Sequence, residues 1–146
     1  MTGRLVLLIG VALLIGCAGS RQAAENPDWE MWVGTWQGMA LHENRDDPPR
    51  QWTMVLALHK GRLRGVMSDN LGEMRRKKVE GIKIVDGELH FTVAYETSRG
   101  LHRICRHRAR LQDDILLSLF DGSEGGRALA GKWEARQIAS APAATQ

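Results

Sequence analysis

The sequence lacks a long apolar run, since its longest one extends only from Leu5 to Ile15. A helix that crosses a bilayer takes about 20 apolar residues, so this run is too short to be a spanning helix. The chain also has little excess charge, because its formal net charge is +3. We therefore predict no nucleic-acid partner. It has no nucleophile elbow, no Ser/His/Asp order and no phosphate loop, so no motif favours an enzyme and we predict no catalytic residue.

The N-terminal segment has the layout of a secretory signal, with a basic residue at Arg4, the apolar run and a small residue at the end. Its last four residues, Leu14-Ile15-Gly16-Cys17, resemble the lipobox of bacterial lipoproteins. The resemblance implies that residues 1–16 are removed as a lipoprotein signal peptide and that Cys17 is lipidated and acylated. Two or more acyl chains anchor a protein stably, so we expect a membrane partner without a spanning helix.

The residue after Cys17 is Ala18, not Asp. In a Gram-negative host, the lipoprotein resemblance then implies a place in the cell envelope at the outer membrane, facing the periplasm. Two alternatives stay open, namely an ordinary signal that is cut at a nearby small residue and a plain membrane anchor.

Cysteine and histidine are sparse in the rest of the chain. Cys105 is the only cysteine after Cys17, so we expect no internal disulfide. It is expected to be a small buried residue, and a reactive thiol is the alternative. None of the five histidines has the spacing of a zinc ligand with Cys or acid partners, so we predict neither a metal site nor a cofactor.

Composition divides the chain that follows the signal into three parts. Residues 17–27 are small and polar without an apolar period, which predicts a flexible lipidated tether. Residues 138–146 have the same character and are predicted to be a disordered tail. The body, residues 28–137, is the length of one small domain.

The body is rich in turn pairs, and its apolar residues recur with period two, which predicts strands. Folding the chain about Lys60-Gly61 sets three pairs opposite each other: Leu58 and Leu63, Leu56 and Gly65, and Met54 and Met67. The Asp86-Gly87 turn likewise places Ile84 opposite Leu89. About eight such strands predict an all-β fold, a single antiparallel up-and-down barrel.

Two short motifs carry a family resemblance. Residues 32–38, with Gly34-Thr35-Trp36 at their centre, look like the Gly-x-Trp opening strand of lipocalin and calycin barrels, and Gly131-Lys132-Trp133 opens the last strand. The resemblance implies that Trp36 plugs one end of the barrel and that Arg136 stacks on it, as a cation–π pair.

The predicted registers place a row of polar residues, Lys78, Tyr95 and Arg103, above an apolar interior, with Glu80 one row below. Such a mouth would suit an amphipathic ligand with an anionic group. The alternative is that Glu80 pairs with a cation at a solvated rim and that nothing binds. The predicted ligand-lining residues are Met54, Leu56, Met67, Phe91, Tyr95, Arg103, Leu117 and Trp133.

Two hypotheses follow for function. In the first, the barrel is a membrane-anchored module that holds a small apolar or amphipathic ligand. In the second, the barrel is filled, and the protein acts through its outer surface on an envelope partner. Arg106, Arg108 and Arg110, which share one side of a predicted strand, favour the second hypothesis, although a merely solvated strand face is the alternative.

Overall fold

The computed structural model of the protein describes residues 28–43 and 46–140. The predicted signal peptide, Cys17 and the tether lie outside these residues. A short 3₁₀ turn, Glu30–Trp32, precedes nine strands. The strands are β1 (Gly34–His42), β2 (Arg50–His59), β3 (Arg62–Asp69), β4 (Lys77–Lys78), β5 (Glu80–Val85), β6 (Glu88–Glu96), β7 (His102–Gln112), β8 (Ile115–Glu124) and β9 (Arg127–Ala139). β9 thus continues to Ala139, two residues into the predicted tail.

The nine strands form one antiparallel sheet in the order β4-β3-β2-β1-β9-β8-β7-β6-β5. The predicted all-β barrel is confirmed, and the sheet is nearly closed. One strand more than expected is found because β4 and β5 are separated by Val79 alone. The single segment 77–85 pairs first with β3 and then with β6. The break falls beside Gly81, whose φ of +61° is a conformation that glycine adopts readily.

The predicted register is confirmed for the hairpin about Lys60-Gly61 and, next to its turn, for the hairpin about Asp86-Gly87. Leu58 pairs with Leu63, Met54 pairs with Met67, and Ile84 pairs with Leu89. Their turns are two residues long, and both residues of the Asp86-Gly87 turn have positive φ (51° and 77°). This is the type I′ geometry, whose twist matches that of the flanking strands.

The core follows from alternation along the strands. On β7 the side with Cys105 faces inward as predicted, and Cys105 is 1% exposed. On β8 the prediction that Leu117 faces inward is wrong, because Leu116, Ser118 and Phe120 are buried instead. The Asp113-Asp114 turn pairs Leu111 with Leu116, and paired residues share one face of the sheet, so Leu117 points outward.

The barrel has two different ends. At the terminal end, the chain enters through residues 28–33 and leaves at Ala139, beside the hairpin turns β2–β3, β5–β6 and β7–β8. At the loop end lie the longer connections β1–β2, β3–β4 and β6–β7. A tether before residue 28 would therefore attach at the terminal end.

Candidate functional site

The loop end holds a network of buried ion pairs. The guanidinium of Arg103, which is fully buried, donates to Glu124 Oε1 at 2.8 Å and to the Tyr95 hydroxyl at 3.3 Å. Glu124 is 1% exposed, and the side chain of Asp47 lies 3.7 Å from Arg103. Each buried charge thus has an opposite charge beside it, which is the condition for burying charges without a large loss of stability.

A second set of contacts fastens the loops over this network. Arg50 bonds to Glu73 of the β3–β4 connection and lies 3.9 Å from Asp69. The other oxygen of Glu73 accepts hydrogen bonds from the Ser98 N–H at 3.0 Å and from the Ser98 hydroxyl at 2.6 Å. Since Ser98 belongs to the β6–β7 connection, these bonds tie two loops together across the loop end.

The pKa values of this region agree with a closed, paired site. Burial raises the pKa of Tyr95 to about 12, so the phenol keeps its proton. Burial alone would raise the pKa of Glu73, but the hydrogen bonds from Ser98 and Arg50 outweigh it and lower that pKa to about 2. Burial also raises the pKa of Cys105 to about 12, so the thiolate that a reactive cysteine needs is not formed at neutral pH.

Below the ion pairs lies a layer of aromatic rings. The His107 ring stacks on Phe91 with centroids 4.4 Å apart and planes 5° from parallel. Its Nδ1 lies 3.0 Å from Ser118 Oγ, and Trp52 packs against Phe120 with centroids 5.1 Å apart. Burial lowers the pKa of His107 to about 3, so it is a neutral core residue at physiological pH.

The predicted ligand-lining residues, apart from Leu117, all face the interior. Met54, Leu56 and Met67 have no exposed surface, and Phe91 and Trp133 have 3% and 1%. Side chains with no accessible surface border no space large enough for a water molecule. The centre of the barrel is therefore filled by its own side chains at these positions.

The structure places the two predicted plug residues apart. Trp36 is 2% exposed, and its indole N–H donates to the Trp32 carbonyl at 2.9 Å. Arg136 lies on the exposed side of β9, next to buried Ala135. The expected stacking of Arg136 on Trp36 is wrong, because Gln137 occupies the position opposite Trp36.

The predicted mouth is only partly assembled. Tyr95 and Arg103 pair as expected and belong to the buried network, but Lys78 and Glu80 are exposed. Lys78 pairs with Val66 of β3 instead of joining the row of Tyr95, and the register of β5 is irregular between Glu80 and Lys83. Glu124 was not among the predicted site residues. In the structure the inward alternation of β8 runs from Phe120 through Gly122 to Glu124, whereas the prediction that Leu117 faces inward placed Glu124 on the outward side.

The outer arginine face lies on β7, where Arg106, Arg108 and Arg110 are all exposed. Arg106 donates to Asp121 at 2.9 Å and 2.6 Å. The other two arginines line a shallow groove of about 420 Å³ that also contains Leu117 and Leu119. Leu119 is 56% exposed, so this surface combines cationic and apolar groups.

A larger opening interrupts the barrel wall, and we call it the lateral groove. It lies between β3 and β5, has a volume of about 1020 Å³ and is bordered by Trp29 near the point where the chain enters. Its inner lining includes Leu63, Ile82 and Ile84. The groove was not predicted, since the pattern of alternation indicated continuous strands.

Two comparisons with known proteins found no match. The chain matches no protein-family model, and no curated protein matches its sequence. In the part of the chain that the structure describes, no group of three or more His, Cys, Asp or Glu residues is arranged to hold a metal ion. No helix among residues 28–43 and 46–140 is long and apolar enough to cross a membrane.

Proposed function

We propose that the protein is a membrane-anchored envelope lipoprotein whose filled, lipocalin-like barrel binds partners through its outer surface and performs no chemistry. The observation that carries the proposal is the absence of exposed surface on Met54, Leu56 and Met67 at the centre of the barrel. A carrier barrel needs a cavity bordered by such residues, because apolar pockets hold small ligands by contact with their lining.

The loop end gives further support. Entry of a ligand there would separate Arg103 from Glu124 and Arg50 from Glu73. Separating paired buried charges is costly, because each would be left without a counterion in a medium of low dielectric constant. The recognition surfaces that stay accessible are the lateral groove and the outer arginine face.

The anchor part of the proposal depends on the lipobox resemblance of residues 14–17. The described chain begins at the terminal end of the barrel, so a lipid on Cys17 would attach there. Metabolic labelling with an alkyne analogue of palmitate is expected to label the full chain and not Cys17→Ser. Equal labelling of both proteins would contradict the anchor.

Native mass spectrometry of the full chain, released from bacterial membranes in mild detergent, tests the filled barrel. We expect only the mass of the processed, lipidated polypeptide, both before and after incubation with envelope lipid extract. A bound molecule that is lost on denaturation would overturn the filled barrel and favour a ligand carrier.

A further inference from the structure

The barrel wall has a gap between β3 and β5. β3 pairs with β4 only at Val66 and Met67, and the only ladder of β5 is with β6. The Val79 N–H donates to the Gly65 carbonyl at 2.9 Å. Beyond that bond, no backbone hydrogen bond joins β3 to β5 within the described residues. Two strand edges therefore face each other across the lateral groove.

The hairpin turns determine which backbone groups face the groove. A two-residue turn such as Asp86-Gly87 is closed by a hydrogen-bonded pair, and hydrogen-bonded and non-hydrogen-bonded pairs then alternate along the ladder. The N–H and C=O of Ile84 consequently point away from β6, into the groove. The Lys60-Gly61 turn directs those of Leu63 into the groove from the other side. The Gly65 carbonyl, two residues after Leu63 on β3, accepts from the Val79 N–H and so points to the same side, as this alternation requires.

The side chains of the groove are apolar inside and basic at the rim. Leu63 is 6% exposed, while Ile82 and Ile84 are half-buried and pack against the core. Four exposed cations and one acid lie along the rim, and none of the five forms an ion pair with a described residue. These five are Arg62, Arg64, Lys78, Lys83 and Glu80.

We propose that the lateral groove binds an extended segment of a partner protein, which adds a strand to the free edge of β5. Free N–H and C=O groups at a sheet edge recognise an extended backbone. The apolar inner wall favours apolar residues at alternate positions of the segment. The unpaired cations favour acidic residues at the positions between them, by charge complementarity. This inference rests on the proposed function, because it requires a partner at the outer surface.

The test uses a fluorescein-labelled, eight-residue peptide of alternating Val and Glu, with blocked ends, and the full chain in detergent micelles. Fluorescence anisotropy is expected to show saturable binding that weakens as salt is added. Two control peptides are expected to bind about tenfold more weakly. One has Lys in place of Glu, and the other is N-methylated at alternate residues so that it cannot pair with β5.

Two pairs of variants locate the binding. Arg64→Glu is expected to weaken binding about tenfold, whereas Arg127→Glu, which changes an exposed cation outside the groove, is expected to leave it unchanged. Ile84→Pro removes the groove-facing N–H without removing a bond to β6, and proline is tolerated on such edges. It is expected to abolish binding, and Ile84→Ala to keep most of it.

Amide hydrogen exchange of the wild-type chain gives a readout that does not depend on variant folding. The amides of Ile84 and Leu63 are expected to become protected when the Val/Glu peptide is added. Absence of binding, equal binding of the control peptides, or unchanged exchange at both amides would overturn the proposal.

Three outcomes separate other occupants from the proposed one. A dimer that Ile84→Pro dissociates would assign the groove to a second copy of the chain. Binding to anionic vesicles that Arg64→Glu abolishes, without peptide binding, would assign it to a membrane surface. Failure of the peptide together with a ligand-free native mass would refute only the groove inference. A retained ligand in the native mass would refute the proposed function itself.

Discussion

The loop end and the lateral groove are both rich in arginine, but their charges have opposite surroundings. At the loop end, Arg103 is fully buried against Glu124 and Tyr95, and Arg50 is bonded to Glu73. Along the groove, Arg64 and its neighbouring cations are exposed and have no ion pair among the described residues. Buried, paired charges stabilise one arrangement of the chain, whereas exposed, unpaired charges stay available for a partner. Burial and pairing indicate a structural role for the first region, whereas exposure supports the recognition role that we propose for the second.

The largest expected effect is at the loop end. Glu124→Ala leaves the buried Arg103 without its closest counterion and is expected to cost about 3–5 kcal/mol of stability in urea unfolding. The matched control is Asp121→Ala, which breaks the exposed pair with Arg106 and is expected to cost less than about 1 kcal/mol. Equal costs would contradict a structural role for the buried pair. The double variant Arg103→Met/Glu124→Leu is expected to recover most of the loss, because the charges that lose a partner, Asp47 and Arg99, are in contact with water.

Leu89 and Ile84 are paired on the β5–β6 ladder but differ in burial. Leu89 has no exposed surface, while its partner Ile84 is half-buried at the groove. Leu89→Ala is expected to cost about 2–5 kcal/mol because it leaves a cavity in the core. Ile84→Ala is expected to cost only about 1 kcal/mol, since part of its surface is already in contact with water. A similar cost for both, measured by urea unfolding, would mean that the groove is closed in solution.

Stability is expected to depend on pH because His107 is buried in its neutral form. The pKa of His107 is lowered to about 3 in the folded chain and is near 6.5 in an unfolded one. Between these values the unfolded state binds one more proton, so stability falls as the pH falls from about 6.5. The expected slope from this residue is about 1.4 kcal/mol per pH unit. Glu73, whose pKa in the folded chain is about 2, also makes stability fall as the pH falls below about 4.5.

Urea unfolding between pH 7 and pH 5 measures this slope. The double variant His107→Phe/Ser118→Ala is expected to flatten the curve in that window. Ser118→Ala alone removes only the hydrogen bond to the ring, so it should lower stability at every pH and keep the slope. A double variant with the wild-type slope would show that the imidazole is not held neutral in the core.

The smallest effect on stability is expected from substitutions at the rim of the lateral groove. Arg64→Ala and Lys83→Ala remove exposed cations without ion pairs and are expected to change stability by less than about 0.5 kcal/mol. Arg50→Ala, which leaves Glu73 without its cation, serves as the contrasting variant and is expected to cost several times more. Large losses for Arg64 and Lys83 would mean that the rim stabilises the fold and would weaken its assignment to recognition.

Much of the fold was predictable because turn and alternation signals are local. The Lys60-Gly61 turn set the register of its hairpin correctly, and the Asp86-Gly87 turn did so as far as Lys83. The inward side of β7 followed from Cys105. On β8, the alternation of apolar residues predicted the wrong inward face. Ile115, Leu117 and Leu119 alternate as a buried strand would, yet the two-residue turn before them places Leu116 opposite Leu111 and turns that side outward.

The candidate site was less predictable because it is made of long-range contacts. Arg103 was singled out correctly as an inward arginine, but its partner Glu124 is 21 residues further along the chain and was not predicted. The lateral groove depends on where β4–β5 changes neighbours, at Val79 and Gly81. One glycine in an otherwise alternating segment does not reveal which strand each half will pair with.

By itself, the sequence determined the all-β class, the principal hairpins and the inward faces of most strands. All of these depend on neighbouring residues, on period two or on a short motif. Only the tertiary structure decided that side chains at the centre of the barrel have no exposed surface, that Arg103 meets Glu124 and that the wall opens between β3 and β5. These features depend on how side chains from distant strands share one interior, and on a change of strand partner that no local pattern encodes.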